Sequence, residues 1–376
     1  MSGPKILLSA GEASSDMYAA QLACLLREHS GAEIFGMGGP RMAEAGVELI
    51  ADYHEVAVVG ITEVLHKIPS VVRVQNLLAR EAKRRAASLA ILVDSPGTHL
   101  GVARRLNKVG IPVGYFIGPQ VWAWRAGRVR VVKRRVKRMV VIFPFEEKIY
   151  RDAGVPCDFV GHPLVDVVRP SLSRAEFASR YGLDADRPIV TLLPGSRKSE
   201  IAQHYSVVME ACARLAANFG NKLQFVHAVA PNLPPELFAP YQPAGLSVKR
   251  IEGATYDALA AADCSIVASG TATVEAALLG APMVVIYRVA PVTGAIVRRL
   301  IRTPFISMAN LIAGRRVVPE LIQDAFTASA LESEVRNLLE SPATRDEMKA
   351  GLAEVRSKLG SGGAIERAAD IFAGML

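Results

Sequence analysis

Cysteine is scarce in this chain, and the four present stand apart. Cys24, Cys157, Cys212 and Cys264 form no CxxC pair and have no histidine at metal-ligand spacing. That argues against a structural zinc site and for a reducing compartment. Long apolar runs are missing too. The best stretch, GAPMVVIY, stops at Arg288, well short of the 18 or more residues a membrane-spanning helix needs. The opening MSGPKILLSAGEASSD has one lysine and an apolar run too short for a signal-peptide core, so a cytoplasmic location is expected. Acid is absent from one place in particular. Between Arg125 and Arg138 lie Arg125, Arg128, Arg130, Lys133, Arg134, Arg135, Lys137 and Arg138, with no Asp or Glu among them. The formal charge of +8 resides wholly in that stretch, and the remainder is balanced. Polyanion binding over the whole surface is excluded; a single anion-facing patch is expected.

What is present is a globular chain of 376 residues, 51% hydrophobic and 21% charged, long enough for two or three domains. KILLSAG, AEIFGMG, ASLAILVD, IPVGYFIG, MVVIFPF and CDFVGH have continuous apolar residues, the mark of strands buried on both faces. Helical periodicity separates them at 15–29, 70–86, 100–109 and 120–138. A polar segment with Pro163 and Pro170 follows, and near residue 187 the pattern restarts with PIVTLLPG, KLQFVHAVA, LSVKRIEG, CSIVASG and APMVVIYR. Two successive β/α halves predict an α/β protein of two Rossmann-like, doubly wound domains facing across a cleft, 1–165 and 166–345. Beyond about 328 the pattern is helical.

Ligands of such sheets sit at the carboxyl ends of strands, so the polar residues there carry the chemical expectations. After KILLSA comes Gly11-Glu12-Ala13-Ser14-Ser15-Asp16, either an anion-accepting turn or an N-cap by Ser14 or Ser15. GMGG at 36–39 lacks the spacing of a dinucleotide fingerprint. Asp94, after ASLAILV, is placed either to take a proton from a hydroxyl or to cap a Ser-Pro turn. Gly195-Ser196-Arg197 offers amides, a hydroxyl and a guanidinium, the donors a diphosphate needs, without Walker spacing. Ser269-Gly270-Thr271 opens a helix whose N-terminus suits a phosphate, with Glu275 four residues on in reach of a ribose diol.

In this order, GEASSD, GMGGPRMAEAG, GPQVWAWR, FPFE, GHPLVD, LLPGSRKSEI, ASGTATVEAALLGAPMVVIYR and NLIAGRRVVPELIQ closely resemble the lipid-A-disaccharide synthase family. The resemblance implies an inverting glycosyltransferase of the GT-B fold that needs neither metal nor cofactor. Its substrates would be UDP-2,3-diacylglucosamine and 2,3-diacylglucosamine 1-phosphate, joined through a β-1,6 linkage with release of UDP. The second domain would hold UDP and the first the acyl sugar, with C-terminal helices, 346–376, crossing back to the first. By the same resemblance, Asp94, Glu12 and Asp16 are catalytic. Ser196, Arg197, Ser269, Gly270, Thr271, Glu275, Asn310, Arg315 and Gln323 are assigned to the nucleotide sugar. Two departures stand out. Ser15 replaces a glycine of GEASGD, and the usual D-x-P-D-F-N reads Asp94-Ser95-Pro96-Gly97-Thr98-His99, which makes His99 an alternative base.

The basic stretch reads as a helix with Val129, Val132, Val136 and Val140 on one face. Arg128, Arg130, Lys133, Arg134, Lys137 and Arg138 would then meet acidic lipids of the inner membrane, or simply water. Trp122 and Trp124 are the only aromatics nearby and no nucleic-acid module is recognisable, so nucleic acid is not expected as a partner. ITEVLHKIPSVVRVQNLL (61–78) either receives acyl chains or packs in the core. A homodimer stays open, as do a UDP-sugar 2-epimerase, a soluble glycosyltransferase and a noncatalytic anionic-lipid binder.

Overall fold

The computed structural model describes the chain apart from residues 1–2, 57–60, 120, 122–126, 221, 232, 242 and 291–302, with backbone alone for 61–66. Arg125, Trp122 and Trp124 thus lie outside the described residues. Two units emerge: residues 1–163 with 360–376, and 164–359.

The first unit is built on seven parallel strands: β1 (Lys5–Ala10), β2 (Glu33–Gly38), β3 (Glu48–Asp52), β4 (Leu89–Val93), β5 (Val113–Phe116), β6 (Arg138–Val141) and β7 (Cys157–Phe159). Their order is β3-β2-β1-β4-β5-β6-β7. LAILV in β4 is buried at every position, as a strand covered by helices on both faces must be. β3, ELIAD, was not expected: it is an edge strand, only partly covered, without a continuous apolar run. The helices are α1 (Ala13–Ser30), α2 (Pro40–Glu44), α3 (Ile61–Arg84), α4 (Pro96–Lys108), α5 (Arg128–Arg135) and α6 (Pro144–Asp152). Val74 and Leu78 of α3, Val102 and Leu106 of α4 and Val132 of α5 share one core with Leu92, Tyr115 and Met139.

The basic helix is shorter than its periodicity predicts. It ends at Arg135; Val136 is already extended, and Arg138 and Val140 belong to β6. Tertiary pairing overrides the helical spacing because Lys137 N–H donates to Val113 O and Met139 N–H to Pro156 O, joining the sheet.

The second unit has six parallel strands: β8 (Ile189–Leu193), β9 (Gln224–Val229), β10 (Val248–Glu252), β11 (Cys264–Ala268), β12 (Met283–Tyr287) and β13 (Glu320–Ile322), ordered β10-β9-β8-β11-β12-β13. Its helices include α7 (Leu164–Val167), α8 (Arg174–Tyr181), α9 (Lys198–Asn218), α10 (Thr255–Ala260) and α11 (Thr271–Leu278).

The return to the first unit begins at Gly360, not at 346. Helix Pro342–Lys358 stays with the second unit because Met348, Gly351, Leu352 and Val355 are buried there. Arg356 also donates to Leu278 O, and Lys358 to Ala313 O. Only Ala364–Ala373 crosses. Phe372 meets Phe116 edge-on at 6.5 Å, over Gly114, where a Cβ would come within 2.5 Å of the ring. Arg367 donates twice to Val160 O.

Strand order locates the candidate sites. In the first sheet, β2 and β3 extend one way from β1 while β5, β6 and β7 extend the other way from β4. The order therefore reverses between β1 and β4. In the second it reverses between β8 and β11. Open parallel sheets bind ligands at such points, outside the carboxyl ends.

Candidate active site

At the first switch point, Gly11 and Glu12 follow β1 while Asp94 and Ser95 follow β4. The two turns touch: a Cβ on Gly11 would lie 2.4 Å from Ser95 Oγ, so only glycine fits. Ser95 Oγ is itself buried without a hydrogen-bond partner. Asp94 and Ser95 both adopt left-handed backbone, φ +53° and +46°, a strained choice for residues other than glycine. Asp94 N–H donates to Phe116 O at 2.9 Å. Its carbonyl accepts from the Tyr115 hydroxyl at 2.6 Å and is 2.7 Å from His99 Nδ1.

Burial, and then the charge of nearby Glu12, push the Asp94 carboxyl up from the usual range to about 6, against a lowering bond from the Ser95 amide. A carboxylate so poised accepts a proton near neutrality. Tyr115, raised well above its usual value by burial and by Asp94, stays a protonated donor.

The other first-unit expectations divide. Glu12 is exposed, caps α1, and belongs with Asp94. Asp16 does not. It is buried, and its carboxylate accepts from the amides of Gly39, Arg41 and Met42 at 2.7, 3.0 and 3.3 Å. Asp16 therefore anchors the GMGG turn. Ser15, the departure from the family pattern, accepts from the Gly11 and Glu12 amides and donates to Glu12 O. His99 is fully buried, held near 4 by that burial, with both ring nitrogens in hydrogen bonds. It is no base.

At the second switch point, Pro194–Arg197 and Ser269–Thr271 follow adjacent strands, Leu193 pairing with Val267. The Gly195-Ser196-Arg197 turn already holds an anion from its own chain. The Glu200 carboxylate accepts from the amides of Ser196 and Arg197, at 2.8 and 3.3 Å, and from the Arg197 guanidinium at 2.9 Å. Gly195, at φ +141°, leaves room for it. At the neighbouring turn Gly270 has φ +153° and open space around it, and α11 starts at Thr271. The leading amides of a helix have no acceptor within it. Glu275, pushed upward by burial, accepts from the Tyr256 hydroxyl at 3.2 Å.

One nucleotide assignment changes. Asn310 is fully buried and structural: Oδ1 accepts from the amides of Val317 and Val318, and Nδ2 donates to Val318 O and Glu320. Glu320 in turn accepts from the amides of Ile306 and Ser307. Arg315 is exposed and paired with Glu354. Gln323, just past the carboxyl end of β13, has φ +53°, and its carbonyl accepts from Arg288. None of these contacts opposes a nucleotide role for Arg315 or Gln323, which stays a proposal. This stretch frames β13. His204 was missed. It is buried between Pro194 O, 2.7 Å from Nδ1, and the Arg288 N–H, which donates to Nε2 at 2.9 Å. Nothing but its helical spacing from the GSR turn signals it.

The patch assignments divide as well. Arg130, Lys133, Arg134 and Lys137 are exposed, and α4 adds exposed Arg104 and Lys108. Among the described residues none of the six is in an ion pair, whereas Arg138 forks onto Asp158. Arg128 is half-buried and close enough for its charge to act on Tyr115. In α3, Val74 and Leu78 are core, while Ile68 and Val72, one turn apart, are 49% and 40% exposed. No described helix is long and apolar enough to cross a membrane.

The model of the Lipid-A-disaccharide synthetase family matches residues 6–369. A lipid-A-disaccharide synthase of Solibacter usitatus is 46% identical over 370 residues, 97% of this chain and 96% of that one. One from Geobacter sulfurreducens is 45% identical, over 99% and 97%. The chain belongs to the lipid-A-disaccharide synthase family. It is thereby a glycosyltransferase of lipid A disaccharide synthesis. Solved structures agree on the fold, two parallel-sheet α/β units of the GT-B class. The UDP-GlcNAc 2-epimerase of Neisseria meningitidis, bound to UDP-GlcNAc, matches with a TM-score of 0.67 at 12% identity, covering 98% of this chain and 100% of that one. MurG of Acinetobacter baumannii matches with a TM-score of 0.59 at 14% identity, covering 98% of each.

Proposed function

We propose that the chain transfers the diacylglucosaminyl group of UDP-2,3-diacylglucosamine to 2,3-diacylglucosamine 1-phosphate, with inversion and release of UDP. Asp94 takes the proton of the acceptor hydroxyl as its oxygen bonds the anomeric carbon. The carbon–oxygen bond to UDP breaks on the opposite face, its electron pair leaving on the β-phosphate. The first turns of α11, from Gly270 and Thr271, receive the diphosphate, and Arg197 meets the growing charge. Glu275 accepts from the ribose. In this reading no metal or cofactor takes part. Glu200 keeps the Ser196 and Arg197 amides occupied, so the guanidinium rather than that turn's backbone meets the nucleotide.

The observation that carries this reading is the half-buried Asp94, raised to about 6 at the first switch point. Its test is incubation with both sugars, followed by detection of UDP and a β-linked disaccharide. Asp94→Asn should cut turnover by at least about 10²-fold. Epimerisation of UDP-GlcNAc without acceptor would contradict it.

For localisation, the reading is peripheral attachment to the cytoplasmic side of the inner membrane. In this reading the exposed Ile68 and Val72 of α3 meet the same membrane as the six cations between Arg104 and Lys137, α3, α4 and α5 sharing one core. Basic residues near an anionic surface contribute about 1 kcal/mol each. Acyl chains of the substrates would lie along the same side.

A further inference from the structure

We propose that His99 is a positioning residue, which with Ser9 behind it and Tyr115 beside it fixes the left-handed backbone that presents the Asp94 carboxylate. This rests on the reading of Asp94 as the base. Strained backbone persists only where its surroundings over-determine it, and here they do. The Asp94 carbonyl is met from two elements, by the Tyr115 hydroxyl of β5 at 2.6 Å and by His99 Nδ1 of α4 at 2.7 Å. A carbonyl only accepts, so Nδ1 carries the ring proton. Nε2 is then an acceptor, and the Ser9 hydroxyl, 2.9 Å away on β1, is its donor. Ser9 and His99 have no exposed surface.

The clamp thus ties together the ends of β1, β4 and β5, the strands around the switch point. Burial keeps His99 neutral, so its donor role does not change over the working pH range.

Three variants separate this role from simple packing. His99→Gln reaches toward Ser9 but withdraws the donor from Asp94. Tyr115→Phe keeps the shape and removes the other donor. His99→Asn restores a donor at the Nδ1 place. Misplacement by about 1 Å can cost about 10²-fold in rate. The expectation is therefore a kcat lowered by about 10–10²-fold in His99→Gln and Tyr115→Phe with KM for the UDP-sugar unchanged. His99→Asn should recover most of what His99→Gln loses. The acid limb of the pH–rate profile should move in both damaged variants. Glu12 and Tyr115 face Asp94 there, with Arg128 acting through Tyr115 and His99 neutral.

Equal turnover in His99→Gln and His99→Asn would overturn the proposal. So would losses that track melting temperature alone, with the acid limb unmoved. Should Asp94→Asn stay active, the base reading itself fails. Should Asp94→Asn be inactive while His99→Gln and Tyr115→Phe turn over normally, only the positioning role fails.

Discussion

The two switch points share a topology and differ in almost everything built on it. At the first, side chains do the work: a carboxylate on strained backbone, held by Tyr115 and His99 and raised by burial and Glu12. At the second, backbone does the work, through the open Gly270 turn, a helix start at Thr271 and a guanidinium tethered to Glu200. One arrangement makes a group that changes protonation near neutrality. The other makes fixed donors whose charge does not depend on pH. A proton acceptor has to be destabilised when charged, whereas an anion receptor has to be ready beforehand; the same edge of a parallel sheet serves either need.

Mutations should respect that division. The largest effect is expected for Asp94→Asn, with kcat lower by at least about 10²-fold and UDP affinity by calorimetry unchanged. Were UDP affinity to fall instead, the two points would not be functionally distinct. Next is Asn310→Ala, which leaves the part-buried amide of Val317, the buried amide of Val318 and one face of Glu320 without their partner. A loss of about 3 kcal/mol, or about 6–12 °C in melting temperature, should follow, with UDP affinity per folded molecule intact. Glu275→Ala should weaken UDP binding by about 1–3 kcal/mol while leaving the acid limb of the rate profile in place. Smallest is the surface. Neutralising Lys133, Arg134, Lys137 and Arg130 should abolish pelleting with anionic vesicles at low salt without changing kcat on detergent-dispersed substrate. Wild-type protein should itself release near 1 M salt, where the Debye length is about 3 Å.

Much of this was legible beforehand. Continuous apolar runs such as LAILV and IVTLL fix central strands because both faces are buried, and the polar residues that follow them mark the switch points. What failed were inferences that need tertiary pairing. The valine spacing from 129 to 140 is helical, yet residues beyond Arg135 join the sheet. β13 has three residues, too few for a period, so the buried bonds by which Asn310 frames that strand leave no trace in the sequence pattern. Asp16 and Asp94 look alike in sequence, each polar near a strand's carboxyl end. Only the partners separate them: three backbone amides bind the first carboxylate, while at the second the hydrogen bonds from Tyr115 and His99 hold the backbone. The clamp from Ser9 leaves no local signature because its partner His99 is distant in sequence, whereas Glu200, three residues after Arg197, stands at a capping-box spacing that the sequence does display.

The central claim, that Asp94 is a base made by burial, has one direct test: kcat/KM and melting temperature measured against pH for the wild type and Asp94→Asn. The Asp94 carboxyl is raised from 3.8 to about 6, so the folded state holds that proton more tightly than the unfolded one. Stability from the protonated group is full below the unfolded value and is lost as pH rises through about 6, a cost of at most about 3 kcal/mol at pH 8. Asparagine resembles the protonated form. The account predicts an acid limb near 6 in the wild type, belonging to Asp94. It also predicts an Asp94→Asn protein that is nearly inactive yet melts above the wild type at pH 8, the two converging near pH 4. An acid limb near 4, with Asp94→Asn melting below the wild type at pH 8, would contradict it.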